Sequence, residues 1–454
     1  MDKPRIKERY KHLVNLFANI VLVAVESFAF AYSWHHHYSI ALENPYFKNG
    51  DILVVLFYML IMFFVTNTFN GYRISYQRTL DLCITHIVAI VTTNVLAFGL
   101  ISLIARGLVF PTSLYKVASF QVAFVVPWII LVRYVYKSLY PPRELFFIYG
   151  DRAPVELINK FKSRDDKFEI IGAMKYTTYS RRLYQEIDNY KAIVVDDIPA
   201  QERNDILKYC YQKGIRVYVT PKISDIILNA SEKVHLFDTP LYLARNYGIK
   251  TSQLFAKRME DIIISLLIMI LSSPFMLIIA LAVKLYDGGP VFYCQERLTK
   301  DHKPFMMYKF RSMKMDSETQ GAQLAKKNDD RITPVGKIIR RLHVDELPQI
   351  FSVLKGDMSF VGPRPERESI HEEYKQSIPE FDFRLKVKAG LTGFAQVYGK
   401  YNTSPYDKLK LDLTYIENYS LFLDIQIILM TVRILFVKDN TEGIDENQRT
   451  AEKK

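Results

Sequence analysis

The sequence predicts an integral membrane protein with an α-helical N-terminal bundle, a small α/β domain, and a mostly helical, monotopic C-terminal domain carrying a re-entrant membrane helix. Three observations carry that expectation. Four apolar runs of near-spanning length fill the first third of the chain, and short strands alternate with helices from Glu144 onward. A fifth apolar run has basic residues on both sides and a proline at its centre. Composition agrees: 454 residues are 49% apolar, with 60 Lys+Arg against 48 Asp+Glu and a net charge of +12, yet the mean hydropathy is close to zero. Such an average over two populations excludes a purely soluble enzyme, a transporter made only of spans, and a disordered chain. The cysteines, Cys83, Cys210 and Cys294, have neither metal-binding spacing nor the number for a disulfide framework.

The apolar runs are Leu13 to Trp34, Ile52 to Phe69, Leu82 to Ala105 and Val117 to Val132. A helix needs about 20 residues to cross the roughly 30 Å of hydrocarbon. The fourth run is short and recruits Tyr134 and Tyr136 as an interfacial extension. No small-residue cleavage site follows the first run, which argues against a processed signal peptide. Lys3, Arg5, Lys7, Arg9 and Lys11 precede it, and Arg133, Lys137 and Arg143 follow the fourth, so both ends of residues 1–140 are expected in the cytoplasm. Glu26 lies inside the first span, where a carboxylate is either functional or protonated and bonded to a neighbouring helix. His35, His36 and His37 read as an interfacial polar cluster, because three consecutive residues rarely converge on one metal.

Within residues 141–250, strands are expected at Leu145–Tyr149, Ile170–Met174, Ala192–Val195 and Arg216–Val219, with helices over Val155–Phe161 and Asp205–Lys213. That alternation makes a small parallel, Rossmann-like sheet. The turn after the first strand reads Gly150-Asp151-Arg152-Ala153-Pro154, with one of the three glycines of a dinucleotide fingerprint and an acid where phosphate would sit. A scaffold or regulatory domain is therefore favoured over a nucleotide site at Arg152.

The fifth run, Ile262 to Val283, is long enough to span. Lys257 and Arg258 before it and Lys284, Arg297 and Lys300 after it argue against crossing. Ser273 and Pro274 mark a break: proline removes a backbone donor, and serine hydroxyls satisfy the carbonyls this frees. A hairpin over residues 262–283 that enters and leaves by one face fits both length and charge.

Residues 251–437 then carry a dense series of Gly, Pro and basic residues around one carboxylate pair, Asp345-Glu346. Asp345 reads as the N-cap of a helix from Glu346 to Leu354, kept ionised by the positive helix end, with both carboxylates sharing one Mg²⁺. Simple capping is the bland alternative; the surrounding arginines favour chemistry on a phosphorylated substrate. Residues 438–454 form a polar tail.

From about Lys257 to Phe436 the text resembles the bacterial sugar transferases, the polyprenyl-phosphate glycosylphosphotransferases. The resemblance rests on Gly289-Pro290-Val291-Phe292, Lys309-Phe310-Arg311-Ser312-Met313, Asp345-Glu346-Leu347-Pro348-Gln349, Gly356-Asp357-Met358-Ser359, Gly362-Pro363-Arg364-Pro365, Leu391-Thr392-Gly393 and Ala395-Gln396-Val397. The four spans and degenerate nucleotide fold are similar to the large form of that family. Two departures are Ala389 where proline is expected before Gly390, and Lys400 where arginine is expected.

The resemblance implies transfer of a sugar-1-phosphate from a UDP-sugar to undecaprenyl phosphate at the cytoplasmic face of the bacterial inner membrane, starting exopolysaccharide, capsule or O-antigen assembly. It implies Asp345 as the nucleophile forming a phosphosugar intermediate, and Glu346 acting through Mg²⁺ or as a base. Arg364, Arg311, Arg340 and Lys309 are the implied phosphate-binding residues, and Ser273-Pro274 matches the family's re-entrant break. Membrane lipids are expected partners, a homodimer is compatible with the family, and nucleic acid is not expected. Leu421 to Phe436 suits an interfacial amphipathic helix. A Mg²⁺-dependent lipid phosphotransferase or phosphatase, and a catalytically inert membrane scaffold, are the competing readings.

Overall fold

The computed structural model describes residues 10–40, 50–177, 180–244, 248–315, 331–399 and 403–434. The polar tail, Lys400 and the basic residues before Tyr10 fall outside them. The chain divides into two compact units, Met1–Thr220 and Pro221–Lys454.

The first unit opens with four long helices: α1 (Lys11–Ser33), α2 (Gly50–Thr68), α3 (Thr79–Ile104) and α4 (Thr112–Leu139). Each is long and apolar enough to cross a membrane. Their outward faces are apolar, with Phe17, Phe28, Leu53, Val95 and Phe120 exposed, as expected of a surface in lipid rather than water. Their inward faces mix apolar and polar groups. Gln121 donates to the Glu26 backbone oxygen (3.0 Å) and to the Tyr58 hydroxyl (2.8 Å), while Asn94 donates to Gln121 (2.9 Å). Glu26 is fully buried, and among the described residues neither of its carboxylate oxygens has a partner. The three histidines lie on a π-helical turn, Trp34–Tyr38. Trp34 and Tyr38 bury on one side and all three imidazoles stay exposed.

Four parallel strands follow: β1 (Arg143–Tyr149), β2 (Phe168–Lys175), β3 (Ala192–Asp196) and β4 (Arg216–Val219), in the order β2-β1-β3-β4. Helices α5 (Val155–Lys162), α6 (Ser180–Asp188) and α7 (Ala200–Lys213) connect them, giving the parallel α/β sheet that alternating elements require. Gly150 serves this packing. A Cβ there would lie 2.0 Å from the Asp197 carbonyl oxygen, so the chain's own backbone fills the close approach a pyrophosphate would need. Asp151 pairs with Lys175 at 3.1 Å. The sheet domain is tied to the helices through Arg133, which binds Asp166 (2.6 Å) and the Ile74 carbonyl (2.9 Å). Arg164 and Arg133 hold Asp166 down to about 2 against the upward push of burial.

The second unit begins with α8 (Ile223–Ala230). Ile223 and Ile226 share a core with Leu409 and Leu413, so α8 packs within the second unit. A hairpin of β5 (Glu232–Leu236) and β6 (Thr239–Leu243) precedes α9, a 37-residue helix from Thr251 to Asp287. The expected hairpin over 262–283 is thus helical throughout, and Pro274 lies inside it. Proline leaves the Ile270 carbonyl without its ordinary donor, and the Ser273 hydroxyl donates to that oxygen at 2.9 Å. Both ends of α9 are held by the same domain. Near the start, Lys257 and Asp261 are buried; near the end, Val283 packs with Phe310 and Ile339. Between them Ile263, Leu267, Ile270, Leu271, Phe275, Leu277 and Ile278 are exposed.

The rest of the unit comprises an antiparallel hairpin β7 (Phe292–Leu298) and β8 (Pro304–Phe310), helices α10 (Pro334–Arg341) and α11 (Gln349–Lys355), and a parallel pair β9 (Ser359–Val361) and β10 (Gly390–Thr392). Helices α12 (Glu368–Ser377), α13 (Phe394–Tyr398), α14 (Pro405–Glu417) and α15 (Leu421–Ile434) complete it. On α15, Asp424, Ile427 and Met430 turn inward and Leu421, Phe422, Ile425 and Val432 outward. Asp424 therefore serves the core and the outer face is apolar; Leu435 and Phe436 lie outside the described residues.

Candidate active site

The carboxylate pair sits where β8, α10, α11 and the segment after β9 converge. Thr333 caps α10 by accepting from the Gly336 amide (2.9 Å), with Pro334 in the first turn where its missing N–H costs nothing. After α10 the chain reverses through His343, whose φ of 54° is left-handed, into a 3₁₀ turn at Val344–Glu346. The α-helix starts only at Gln349, with Pro348 as its N-cap residue. Asp345 is therefore not a helix cap, and the local turn rather than a helix dipole positions it. Burial, with Glu346 adding, pushes the Asp345 carboxyl above the ordinary aspartate value, against Lys309, Arg340 and His343. Among the described residues the Asp345 side chain makes no hydrogen bond or ion pair.

Glu346 has the opposite environment. Its Oε1 accepts from Lys309 Nζ at 2.6 Å and from Arg364 Nη2 at 2.9 Å. Burial would raise its pKa, but Arg364 and Lys309 outweigh it and hold the carboxyl well below the usual glutamate range. Two adjacent carboxylates are thus driven apart, one firmly ionised and one easier to protonate. Glu346, held by two cations, is the firmly ionised member of the pair.

Arg364 owes its place to backbone packing. A Cβ on Gly390 would lie 2.0 Å from the Gly362 nitrogen, and one on Gly393 2.1 Å from the Gly362 oxygen. The two Gly-containing motifs are therefore one knot, and no side chain fits within it. Arg384 Nη2 then donates to the Arg364 carbonyl (2.9 Å) and pairs with buried Asp412 (2.9 Å). Glu366 binds Arg384 (3.5 Å) and Lys408; burial raises its carboxyl, but Lys408 and Arg384 bring it down to about 2. Burial also lowers Arg297 to about 10, and its Nη1 donates to the Pro365 carbonyl at 3.3 Å. Sequence reading missed Glu366, Arg384, Asp412 and Lys408. The only local signal was Glu366 directly after Gly362-Pro363-Arg364-Pro365.

Of the expected phosphate binders, Lys309, Arg340 and Arg364 surround the pair, while Arg311 does not join them. Its guanidinium is committed to both oxygens of Asp287 at the end of α9, with Nη1 to Oδ2 at 2.9 Å. A planar fork meeting a carboxylate in this way has its face already used, so Arg311 is an anchor of α9 to β8. Ser273 and Pro274 lie in mid-helix, as described. Ala389 donates its N–H to Thr299 Oγ1 at 3.1 Å, a bond that proline in that place would lose.

Chemically, the site offers an unpaired carboxylate, a carboxylate with one oxygen (Oε2) unbonded among the described residues, and three cations. Asp345 and Glu346 Oε2 are hard oxygen donors of the kind Mg²⁺ takes while keeping most of its waters. The donor set fits that ion. Such a site, in a domain with exposed apolar helices, suits chemistry on phosphorylated groups beside a membrane.

Comparison with known proteins narrows the class. The model of the family "Bacterial sugar transferase" matches residues 252–438. The UDP-N-acetylgalactosamine-undecaprenyl-phosphate N-acetylgalactosaminephosphotransferase of Aeromonas hydrophila is 35% identical over 327 residues, covering 70% of this chain and 72% of that protein. The UDP-glucose:undecaprenyl-phosphate glucose-1-phosphate transferase of Klebsiella pneumoniae is 45% identical over 45% of this chain and 43% of its own length. The undecaprenyl-phosphate galactose phosphotransferase of Salmonella typhimurium is 37% identical over 49% of this chain and 50% of its own. The chain belongs to the bacterial sugar transferase family.

Proposed function

We propose that this enzyme transfers a sugar-1-phosphate from a UDP-sugar to undecaprenyl phosphate through a covalent intermediate on Asp345. The observation that carries the reading is the contrast within the pair: Asp345 has no side-chain partner among the described residues, while Glu346 is held by Lys309 and Arg364. An ionised, unpaired carboxylate is available to attack; a doubly paired one is not.

An Asp345 oxygen attacks the sugar-bearing phosphorus of the diphosphate. The new O–P bond forms as the bridging P–O bond breaks, and the electron pair leaves on UMP. An oxygen of undecaprenyl phosphate then attacks the same phosphorus, and the acyl–phosphate bond breaks to return the Asp345 carboxylate. Arg364 uses only Nη2 on Glu346 among the described residues, so its other donors remain for phosphoryl oxygens. Lys309 and Arg340 add positive charge beside the pair. Asp345 and Glu346 would hold Mg²⁺, which supplies neutralisation of diphosphate charge when bound.

The apolar outer faces of α9 and α15 support attachment of this domain to a membrane surface. In this reading α9 re-enters at the cytoplasmic face of the inner membrane, where a water-soluble nucleotide sugar meets a lipid phosphate. The relatives' names span N-acetylgalactosamine, glucose and galactose, so the sugar is best found by assay. Purified protein given radiolabelled UDP-sugars is expected to label undecaprenyl phosphate with one of them and to require Mg²⁺. UMP release without any lipid-linked label, at all sugars, would replace this reading with a hydrolase.

A further inference from the structure

A second group of metal-ligating side chains lies outside the carboxylate pair. His302, His371 and Asp382 present one ligand atom each within 4.8 Å of one another. They come from three separate segments: the 3₁₀ turn Lys300–His302 between β7 and β8, helix α12, and the 3₁₀ segment Pro379–Lys386. His371 Nε2 lies 2.8 Å from Asp382 Oδ1, and His302 Nε2 lies 3.7 Å from the same oxygen. The first is a hydrogen bond, which a bound metal ion would displace; the second distance is too long for one. It is close to the edge of a tetrahedron with 2.0–2.1 Å metal bonds, about 3.4 Å.

The surroundings are those of a ligand set. Asp382 Oδ2 is taken by Lys375 Nζ at 2.8 Å, leaving Oδ1 for the two imidazoles. A ligating carboxylate is commonly oriented by such an outer partner. His371 is buried and immobilised against Phe381, whereas His302 is 48% exposed, so the group opens to solvent on one side. Asp301 and His302 both adopt left-handed φ, 56° and 57°. That conformation costs free energy at a non-glycine residue and turns the His302 ring onto His371, with ring centroids 5.6 Å apart at 89°.

We propose that His302, His371 and Asp382 form a zinc-type divalent metal site that clips the β7–β8 turn to α12. Two imidazole nitrogens and one carboxylate oxygen suit Zn²⁺ and its transition-metal neighbours rather than Mg²⁺ or Ca²⁺, with water as the fourth ligand. The site is independent of the Asp345–Glu346 chemistry. By fixing the start of the helix that follows Arg364 to Glu366, it stiffens the segment that carries Arg364.

The test uses the full chain in detergent, stripped with chelator, then given Zn²⁺ and desalted. Metal per chain is read by elemental mass spectrometry and stability by thermal scan. Wild type is expected to retain one Zn²⁺ and to melt at higher temperature with it. His302→Ala, at the exposed position, should fold normally yet bind at least about 100-fold more weakly, the upper range for loss of an outer-shell partner, and lose the thermal shift. His35→Ala/His36→Ala/His37→Ala and Glu346→Gln should retain Zn²⁺ as wild type does. Equal retention by His302→Ala, loss in either control, or no retention by wild type overturns the assignment.

Discussion

Lys257, near the start of α9, meets Asp424 of α15 at 2.6 Å, with side chains 7% and 1% exposed. The ammonium also donates to the Val361 carbonyl (3.0 Å) and the Tyr415 hydroxyl (3.2 Å). Burial pushes the Asp424 carboxyl above its ordinary value, although Lys257 and Tyr415 pull it down. A folded-state pKa raised above the unfolded one means that ionising this carboxyl as pH rises through that window costs stability. The pair therefore anchors α9 at a desolvation cost. Asp424→Asn leaves an ammonium buried without its counter-charge, which costs about 3–5 kcal/mol. For a domain of this size 1 kcal/mol moves Tm by about 2–4 °C, so roughly 6–20 °C should be lost. Replacing both partners, Lys257→Met with Asp424→Leu, should be neutral or gain up to about 4 kcal/mol. Thermal unfolding in detergent, followed by intrinsic fluorescence, reads both variants. An Asp424→Asn protein within about 2 °C of wild type, an order of magnitude set by surface pairs, or a double variant less stable than the single, would refute the reasoning.

Asp345→Asn is expected to abolish UMP release, a loss of roughly 10⁴-fold or more for a removed nucleophile, while leaving the melting temperature unchanged, since the side chain makes no bond among the described residues. The pH profile of kcat/KM should have its acid limb above the ordinary aspartate value of about 3.9, because Asp345 must be ionised to attack and its pKa is raised. Arg340→Gln, which removes a charge that lowers that pKa, should move the limb to still higher pH. Arg311→Ala should reduce thermal stability by freeing Asp287 and leave KM for UDP-sugar little changed, whereas Arg364→Ala should cut kcat/KM by about 10²–10³-fold, the scale of a lost transition-state donor.

The parts that the sequence made legible are those set by local pattern. Span-length apolar runs became α1 to α4, strand–helix alternation became the β2-β1-β3-β4 sheet, and Ser273 does satisfy the carbonyl that Pro274 frees. The structure also brings Lys309, Arg340 and Arg364 together around the Asp345-Glu346 pair that the sequence singled out. What failed depended on distant partners. Arg311 looks like a phosphate binder until Asp287, on another element, claims it. Asp345 looks like a cap until His343 adopts a left-handed φ and inserts a separate turn before Pro348. The Glu366–Arg384–Asp412 network and the His302–His371–Asp382 group join positions far apart in sequence, for which no local spacing gives a signal.

The central claim is the covalent step on Asp345, and single-turnover chemistry tests it most directly. Enzyme in excess, given its UDP-sugar without any undecaprenyl phosphate, should release UMP and gain the mass of one sugar phosphate on the peptide containing Asp345. That mass should disappear when undecaprenyl phosphate is added. UMP release that begins only when the lipid phosphate is present, with no adduct on that peptide, would show direct transfer between the two substrates and contradict the account.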